Sequence, residues 1–539
     1  MKQLLCLFLI FTFVNGYTCT NFLVTPGAST DGSAMITYAA DAHFLYGELY
    51  FYPRQQYGKN DSLEIFEFDT GKRLGKIKQV KETYKVVGYI NEFQLAMAET
   101  TFGGRPELVD TTGVIDYGSL MYITLQRAKT AREAIRVMDE LVQEYGYYSS
   151  GESFSIADKN EVWVMEMIGK GSGGNGAVWV AQKIPDGYIS GHANQARITA
   201  FPLNDKENCL YSKDVISFAR EQGFYEGSDE DFSFVDAYAP LDFYGARFCE
   251  SRVWSGFRKV AEDMDQYQDY AMGYNLENRM PLWIKPTKKL HVKDVFNLMR
   301  DYFGDTPLDM TGDVGAGPYG NIVRWRPLTW EVDSVTYINE RAISTQQTGF
   351  SFISQSNKAL PDAIGGKLWF GVDDTYSTVY TPLYCGITEP PMPYRVGNGD
   401  IMTFSDSSAF WAFNQVSNFA YTRYNEMIPI IKERQSALEE KFFEQVKTVD
   451  AKANKLYKKD KATAEKFLTE YSSGIVLETL EEWQQLYKEL FVKFMDGNIK
   501  EKVEGQRNPK IEQPGYSEEW YRILIEQTGD KYKVVGEGH

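Results

Sequence analysis

Histidine and cysteine are scarce in this chain, with four His and five Cys among 539 residues. His43, His192, His291 and His539 form no HExxH pair and no clustered Cys/His spacing, so no metal and no other cofactor is expected. Five cysteines in a chain this long do not make a disulfide scaffold. Basic residues are in deficit, 57 Lys and Arg against 74 Asp and Glu, for a formal net charge of −17 and no basic stripe. Such a surface repels nucleic acid and anionic membranes, and neither is expected as a partner. The apolar run Leu4–Val14 is too short to span a bilayer. The Gly-rich segment GDVGAGPYGN (312–321) lacks the Lys-Ser/Thr ending of a phosphate loop and reads as a surface or cleft-rim loop. There is no sustained repeat and no low-complexity segment.

Aromatics, by contrast, are plentiful at 15%, with 36 Tyr, 33 Phe and 10 Trp. They suit a substrate cleft and aromatic-rich core strands equally well. The chain is longer than one hydrophobic core usually serves, so two or more structural units are expected. Residues 1–18, MKQLLCLFLIFTFVNGYT, place Lys2 before the apolar run and small or polar residues after it, as a secretory leader does. Export is expected, to a secreted or periplasmic location. Cleavage after Gly16 would leave Tyr17-Thr18, and cleavage after Thr18 would expose Cys19. A lipid anchor on Cys19 is disfavoured by Thr18 before it. Loss of the leader removes Cys6 and leaves Cys19, Cys209, Cys249 and Cys385. A Cys209–Cys249 pair stays open, with buried free thiols the preferred reading.

From Cys19 to about Ile198 the pattern is strand-rich: CTNFLVTP, SAMITYAA, GELYFYP and NEFQLAMAETTF carry β-type residues broken by turn residues. SLMYITLQRAKTAREAIRVMDELVQEYG has helical spacing and a stop at Gly146, and FSIADKNEVWVMEMIG reads as a hairpin around Asp158-Lys159-Asn160. Strands, helix and strands again predict an α+β layered unit. Residues 199–330 read as mixed and loop-rich, with SRVWSGFRKVAEDM helical. Strands return from Arg341, and about 408–498 reads as helices covering a sheet. The expected organisation is a leader (1–18), a main unit (19–405) and a mostly helical region (406–539).

Cys19 carries the chemistry. A cysteine at a freshly exposed terminus has a nucleophilic sulfur and a free α-amine on one residue. The amine titrates at about 7.7–8.0 and the thiol at about 8.5, so the pair is a self-contained nucleophile and base. A chain starting at Cys19 would be an amide hydrolase.

CTNFLV…STDGSAMITYAAD, LAMAETTFGG, SFSIADKNEVWVMEMIG, HANQARI and AISTQQTGF together resemble the C69 dipeptidase family of N-terminal-nucleophile hydrolases over most of the chain. The resemblance implies a four-layer αββα sandwich and hydrolysis of dipeptides. Carried over residue by residue, it implies Cys19 as nucleophile, Asp41 as the acid orienting its amine, and Asn194 as an oxyanion donor. On residues alone, Asp41 also reads as a strand-end turn carboxylate and Asn194 as a turn residue. Arg252 falls where related hydrolases carry an active-site Arg, and a structural ion pair fits it as well. Glu99 and Thr100 are expected to line the substrate end of the cleft.

One position departs from the family pattern, which has Arg three residues before the acid: here it is Tyr38. A changed specificity, a weak enzyme, or another arginine in the space (Arg252 or Arg197) would each fit. The alternatives to a dipeptidase are an acyl-amide hydrolase of the penicillin or bile-salt amidase type and a catalytically weak peptide-binding homologue, with a cell-surface peptide-binding lipoprotein as a third. A small peptide is the expected partner, and a homo-oligomer is left open.

Overall fold

The computed structural model of the chain describes residues 19–536, so the leader read over residues 1–18 and its cleavage point lie outside the described residues. Two antiparallel sheets organise the molecule. The seven-stranded sheet runs Trp283–Ile284, Ile189–His192, β1 (Asn21–Val24), β2 (Ala34–Asp41), Thr348–Ser356, Gly366–Val372 and Thr381–Tyr384. The eight-stranded sheet runs Cys209–Tyr211, Ala177–Lys183, Val162–Gly169, Gly151–Ala157, Ala96–Gly103, Ile90–Asn91, Val86–Val87 and Phe51–Tyr52. The turn expected at Asp158-Lys159-Asn160 joins Gly151–Ala157 to Val162–Gly169. Every residue of Val162–Gly169 is buried, which explains why its apolar residues run on where a half-exposed strand would alternate. Strands Ala96–Gly103 and Gly151–Ala157 lie against β2, bringing the two sheets face to face.

Helices cover both sheets, giving an α+β architecture. The helical stretch read before Gly146 is two helices, α1 (Tyr117–Leu125) and α2 (Ala131–Tyr145), packed against the eight-stranded sheet. Thr130 caps α2 by accepting the N–H of Glu133, and Gly146 ends it at a φ of 75°, a conformation glycine adopts without strain. Three helices, Ala409–Ala420, Tyr424–Tyr457 and Lys461–Phe494, lie on the seven-stranded sheet. A buried ion pair of Arg300 with Glu439 ties the second of them to the body of the molecule.

Three local expectations change. The SRVW helix is only Ser251–Arg258, entered through a π-helical turn at Gly245–Glu250. Gly256 lets it approach β1, since a Cβ there would lie 2.2 Å from the Phe22 ring. The strand expected from Arg341 starts at Thr348, leaving 341–347 as a loop beside Asp41. Just before that loop, an exposed hairpin pairs Thr329–Val332 with Val335–Ile338, where no strand was expected. Its turn residues Asp333 and Ser334 have φ of 50° and 63°, as a type I′ hairpin turn requires. Cys209 and Cys249 are free thiols, so the pairing left open does not form; Cys209 is buried as preferred, whereas Cys249 is half-exposed. Among the described residues no helix is long and apolar enough to cross a membrane.

Candidate active site

Cys19 stands one residue ahead of the bridge that joins Thr20 to Ala39, at the entry to β1. On its other side β1 pairs with Ile189–His192, Asn21 opposite His192. Followed outward, that register leads to Cys19 and Asn194. Arg252 closes the gap between them. Its Nη1 donates to the Cys19 carbonyl at 2.5 Å and to Thr20 Oγ1 at 2.8 Å. Its Nη2 donates to Asn194 Oδ1 at 2.9 Å and to the Ala193 carbonyl at 3.0 Å. The guanidinium is fully buried, and burial, then the charge of Arg341, lowers its pKa to about 10. It therefore stays cationic at neutral pH. Asn194 has a φ of 63°, and its amide donates to the Thr101 carbonyl at 2.7 Å. A carboxamide has two N–H donors, so that bond uses half of them.

The sulfur of Cys19 lies 3.9 Å from the Tyr38 hydroxyl and 4.0 Å from Oε1 of Glu99. Tyr38 donates to that same carboxylate oxygen. Glu99 lies beside the buried carboxyl of Glu152, which accepts from Thr101 Oγ1 at 2.9 Å. Burial pushes the Glu99 carboxyl up to about 7, with the side chains of Glu152 and Tyr38 pulling the other way. Burial, then the Glu99 charge, pushes Glu152 well above the carboxylate range. Two buried carboxyls in contact cannot both ionise, so the pair retains a proton and carries at most one negative charge, gained as Glu99 ionises near neutrality. Burial also raises the Cys19 thiol, followed by the charges of Glu99 and Asp41, against the lowering effect of hydrogen bonds from the Asp41 backbone and Tyr38. The resting sulfur is a thiol.

Asp41 ends β2 opposite Thr348. Its Oδ2 meets Arg341 Nη2 at 2.5 Å, with both side chains wholly buried, and its Oδ1 accepts from Thr348 Oγ1 at 2.6 Å. Gln347 donates to the Asp41 carbonyl at 3.2 Å and accepts from Arg326 at 2.9 Å. Burial, then the neighbouring Arg341, lowers Arg326 to about 9.

Five of the residues singled out in the sequence (Cys19, Asp41, Glu99, Asn194 and Arg252) thus meet at one place. Thr100 does not join them: its hydroxyl is 2.7 Å from His192 Nδ1, inside a buried network that continues to Ser155. Burial, then Arg197, lowers that histidine to about 3, which keeps it neutral. Arg197 does not fill the space of the missing arginine; it pairs with Glu250 and donates to the Gly191 and Pro281 carbonyls. Tyr38 occupies that position and is a partner of Glu99. Glu152, Arg341, Thr348 and Arg326 were not read from the sequence. Glu152 lies inside the segment TAREAIRVMDELVQEYGYYSSGESFSIADKNEVWVMEMIG and Thr348 inside AISTQQTGF, both part of the resemblance, and Arg341 directly precedes the latter. Nothing local marks Arg326.

A model of peptidase family C69 matches residues 52–437. The chain is 23% identical over 437 residues to a probable dipeptidase of Latilactobacillus sakei, covering 78% of this chain and 85% of that protein. It is 25% identical over 387 residues to a probable dipeptidase of Salmonella dublin, covering 68% and 81%. It is also 24% identical over 412 residues to a probable dipeptidase B of Lactococcus lactis subsp. lactis (strain IL1403), covering 73% and 79%. The matched span of the family model begins beyond Cys19 and Asp41 and includes Glu99, Glu152, Asn194, Arg252, Arg326 and Arg341.

Proposed function

The chain belongs to peptidase family C69, and from that premise we propose that it is an exported cysteine-type dipeptidase whose nucleophile is Cys19. Its two sheets and flanking helices are read as the four-layer αββα sandwich of N-terminal-nucleophile hydrolases, which the helices beyond about 406 extend. Removal of residues 1–18 leaves Cys19 with a free α-amine, which titrates at about 7.7–8.0 in an unperturbed chain. The thiol is held well above its ordinary pKa, so it needs a base at hand, and the amine of the same residue is one.

In the proposed reaction the amine takes the thiol proton as sulfur attacks the scissile carbonyl carbon. The new oxyanion is held by the Asn194 amide. The C–N bond then breaks, the leaving nitrogen takes the proton back from the amine, and water hydrolyses the thioester to a carboxylic acid and the thiol. Asp41, itself fixed by Arg341 and Thr348, orients the amine. Arg252 is a positioning residue, because it binds both the Cys19 carbonyl and Asn194.

The observation that carries the dipeptide reading is the Glu99–Glu152 pair, 4.0 Å from the sulfur at its nearer end. One negative charge buried beside the nucleophile suits the α-ammonium of a dipeptide. An apolar acyl group, as an amidase of the penicillin or bile-salt type prefers, would leave that charge without a partner.

Mass measurement and N-terminal sequencing of secreted material, with a panel of dipeptides, tripeptides and acyl-amides, test this reading. We expect a chain beginning at Cys19, preferential cleavage of dipeptides, and no turnover by Cys19→Ala. Retention of Tyr17-Thr18 would overturn the mechanism, and equal turnover by Cys19→Ala would overturn the nucleophile.

A further inference from the structure

Three arginines, Arg252, Arg326 and Arg341, lie within electrostatic reach of one another and of Asp41. Two are engaged within the fold: Arg341 binds Asp41, and Arg252 binds Cys19, Thr20, Ala193 and Asn194. Arg326 differs. Its hydrogen bonds go to neutral acceptors, Gln347 Oε1 at 2.9 Å, Thr345 Oγ1 at 3.2 Å and the Arg324 carbonyl at 3.4 Å. Among the described residues no carboxylate lies within ion-pairing distance of it, although the chain carries an excess of acid.

The side chain is half-buried and lines a cavity of about 350 Å³ together with Ala42, His43, Trp325, Gln347 and Thr348. Thr348 and Gln347 both bond Asp41, so this cavity adjoins the candidate active site directly. Its volume falls in the range of small-molecule sites, roughly 300–1,000 Å³. A guanidinium presents a planar fork of donors, which matches a carboxylate in two parallel hydrogen bonds. Nε and Nη2 are held by Gln347 and Thr345, and the weak 3.4 Å contact leaves Nη1 as the donor able to turn to a carboxylate oxygen.

Resting on the dipeptidase reading, we propose that Arg326 anchors the α-carboxylate of the residue on the leaving side of the scissile bond. A dipeptide then meets charge at both ends, its ammonium at Glu99–Glu152 and its carboxylate at Arg326. The restriction to two residues follows from that arrangement. A tripeptide puts its terminal carboxylate one residue too far along the chain, and a C-terminal amide offers no charge.

The test compares kcat/KM for alanyl-alanine, its C-terminal amide and trialanine in the wild-type enzyme, Arg326→Gln and Arg326→Lys. The wild type should prefer the free dipeptide over the amide by about 10- to 100-fold, the size of a hydrogen bond between charged groups. Arg326→Gln should collapse that preference through a higher KM for the dipeptide, and Arg326→Lys should retain part of it. Thermal unfolding of both variants verifies that they are folded. An equal loss on dipeptide and amide, or a wild type indifferent to the amide, would overturn the proposal. Cys19→Ala separates the two readings. Cleavage surviving in that variant removes the nucleophile, whereas full loss there with an unaltered preference in Arg326→Gln removes only the carboxylate anchor.

Discussion

The hydroxyl of Tyr38 donates to the Glu99 carboxylate, and both lie about 4 Å from the Cys19 sulfur. The residue that departs from the pattern of the resemblance is therefore joined to the acidic neighbour of Cys19. This bond favours the ionised carboxylate and offsets part of the rise caused by burial.

Removing the hydroxyl should move Glu99 upward from about 7. On the proposed reading the ionised pair holds the substrate ammonium, so activity should rise with pH as Glu99 loses its proton. In Tyr38→Phe the acid limb of the kcat/KM profile should shift to higher pH, with little change on the alkaline side. An acid limb that stays in place would remove Glu99 from substrate binding.

The Asp41–Arg341 pair is wholly buried. Taking away one partner leaves the other charged and unpaired in the interior, which costs about 3–5 kcal/mol. Arg341→Met should lower the unfolding free energy by that amount in a urea titration. A change under about 1 kcal/mol would show that the buried pair does not hold the 341–347 loop to β2, since a surface pair is worth no more than that.

Asn194 occupies the left-handed region at a φ of 63°. Asn194→Gly removes the amide and keeps the backbone unstrained, so no backbone cost is added to the lost side-chain bonds. Its kcat should fall about 10²- to 10³-fold, as loss of one oxyanion donor does. The melting temperature, read by circular dichroism, should fall by a few degrees, because the Thr101 carbonyl and Arg252 each lose one buried hydrogen bond, while the protein stays folded. Undiminished kcat would exclude Asn194 as the donor.

Much of the framework was legible before any coordinates. Thr130 and Gly146 bracket a helix because capping side chains and left-handed glycines act within one turn of the chain. The 158–160 turn was legible for the same reason: both signals are local. The exposed hairpin at 329–338 was also encoded, in the Asp333-Ser334 turn, but its strands bury too little apolar surface to show a periodic pattern against their surroundings. The gap between the expected strand at Arg341 and its start at Thr348 has another origin. Arg341, Ser344, Thr345 and Gln347 are buried by their partners in the fold rather than by hydrophobicity.

The candidate site divides the same way. The thiol of Cys19, the acid at Asp41, the amide at Asn194 and the Tyr at position 38 are properties of the sequence, visible as residue types in ordered motifs. Which charges face one another is not. Arg252 and Cys19 are 233 residues apart, Arg341 and Asp41 300, and Glu99 and Cys19 80. Sequence patterning reports whether a side chain faces inward, because strand and helix periods are short-range. It does not report what that side chain meets, because this depends on strand order and on how closely the helix at Gly256 packs against Phe22. The sequence by itself determined the family, and it supplied Cys19 as the proposed nucleophile. Only the tertiary structure decided that Asp41 is held by Arg341, that Tyr38 serves Glu99, and that Arg326 faces a cavity with its charge unmatched, since each of these is an encounter between distant segments.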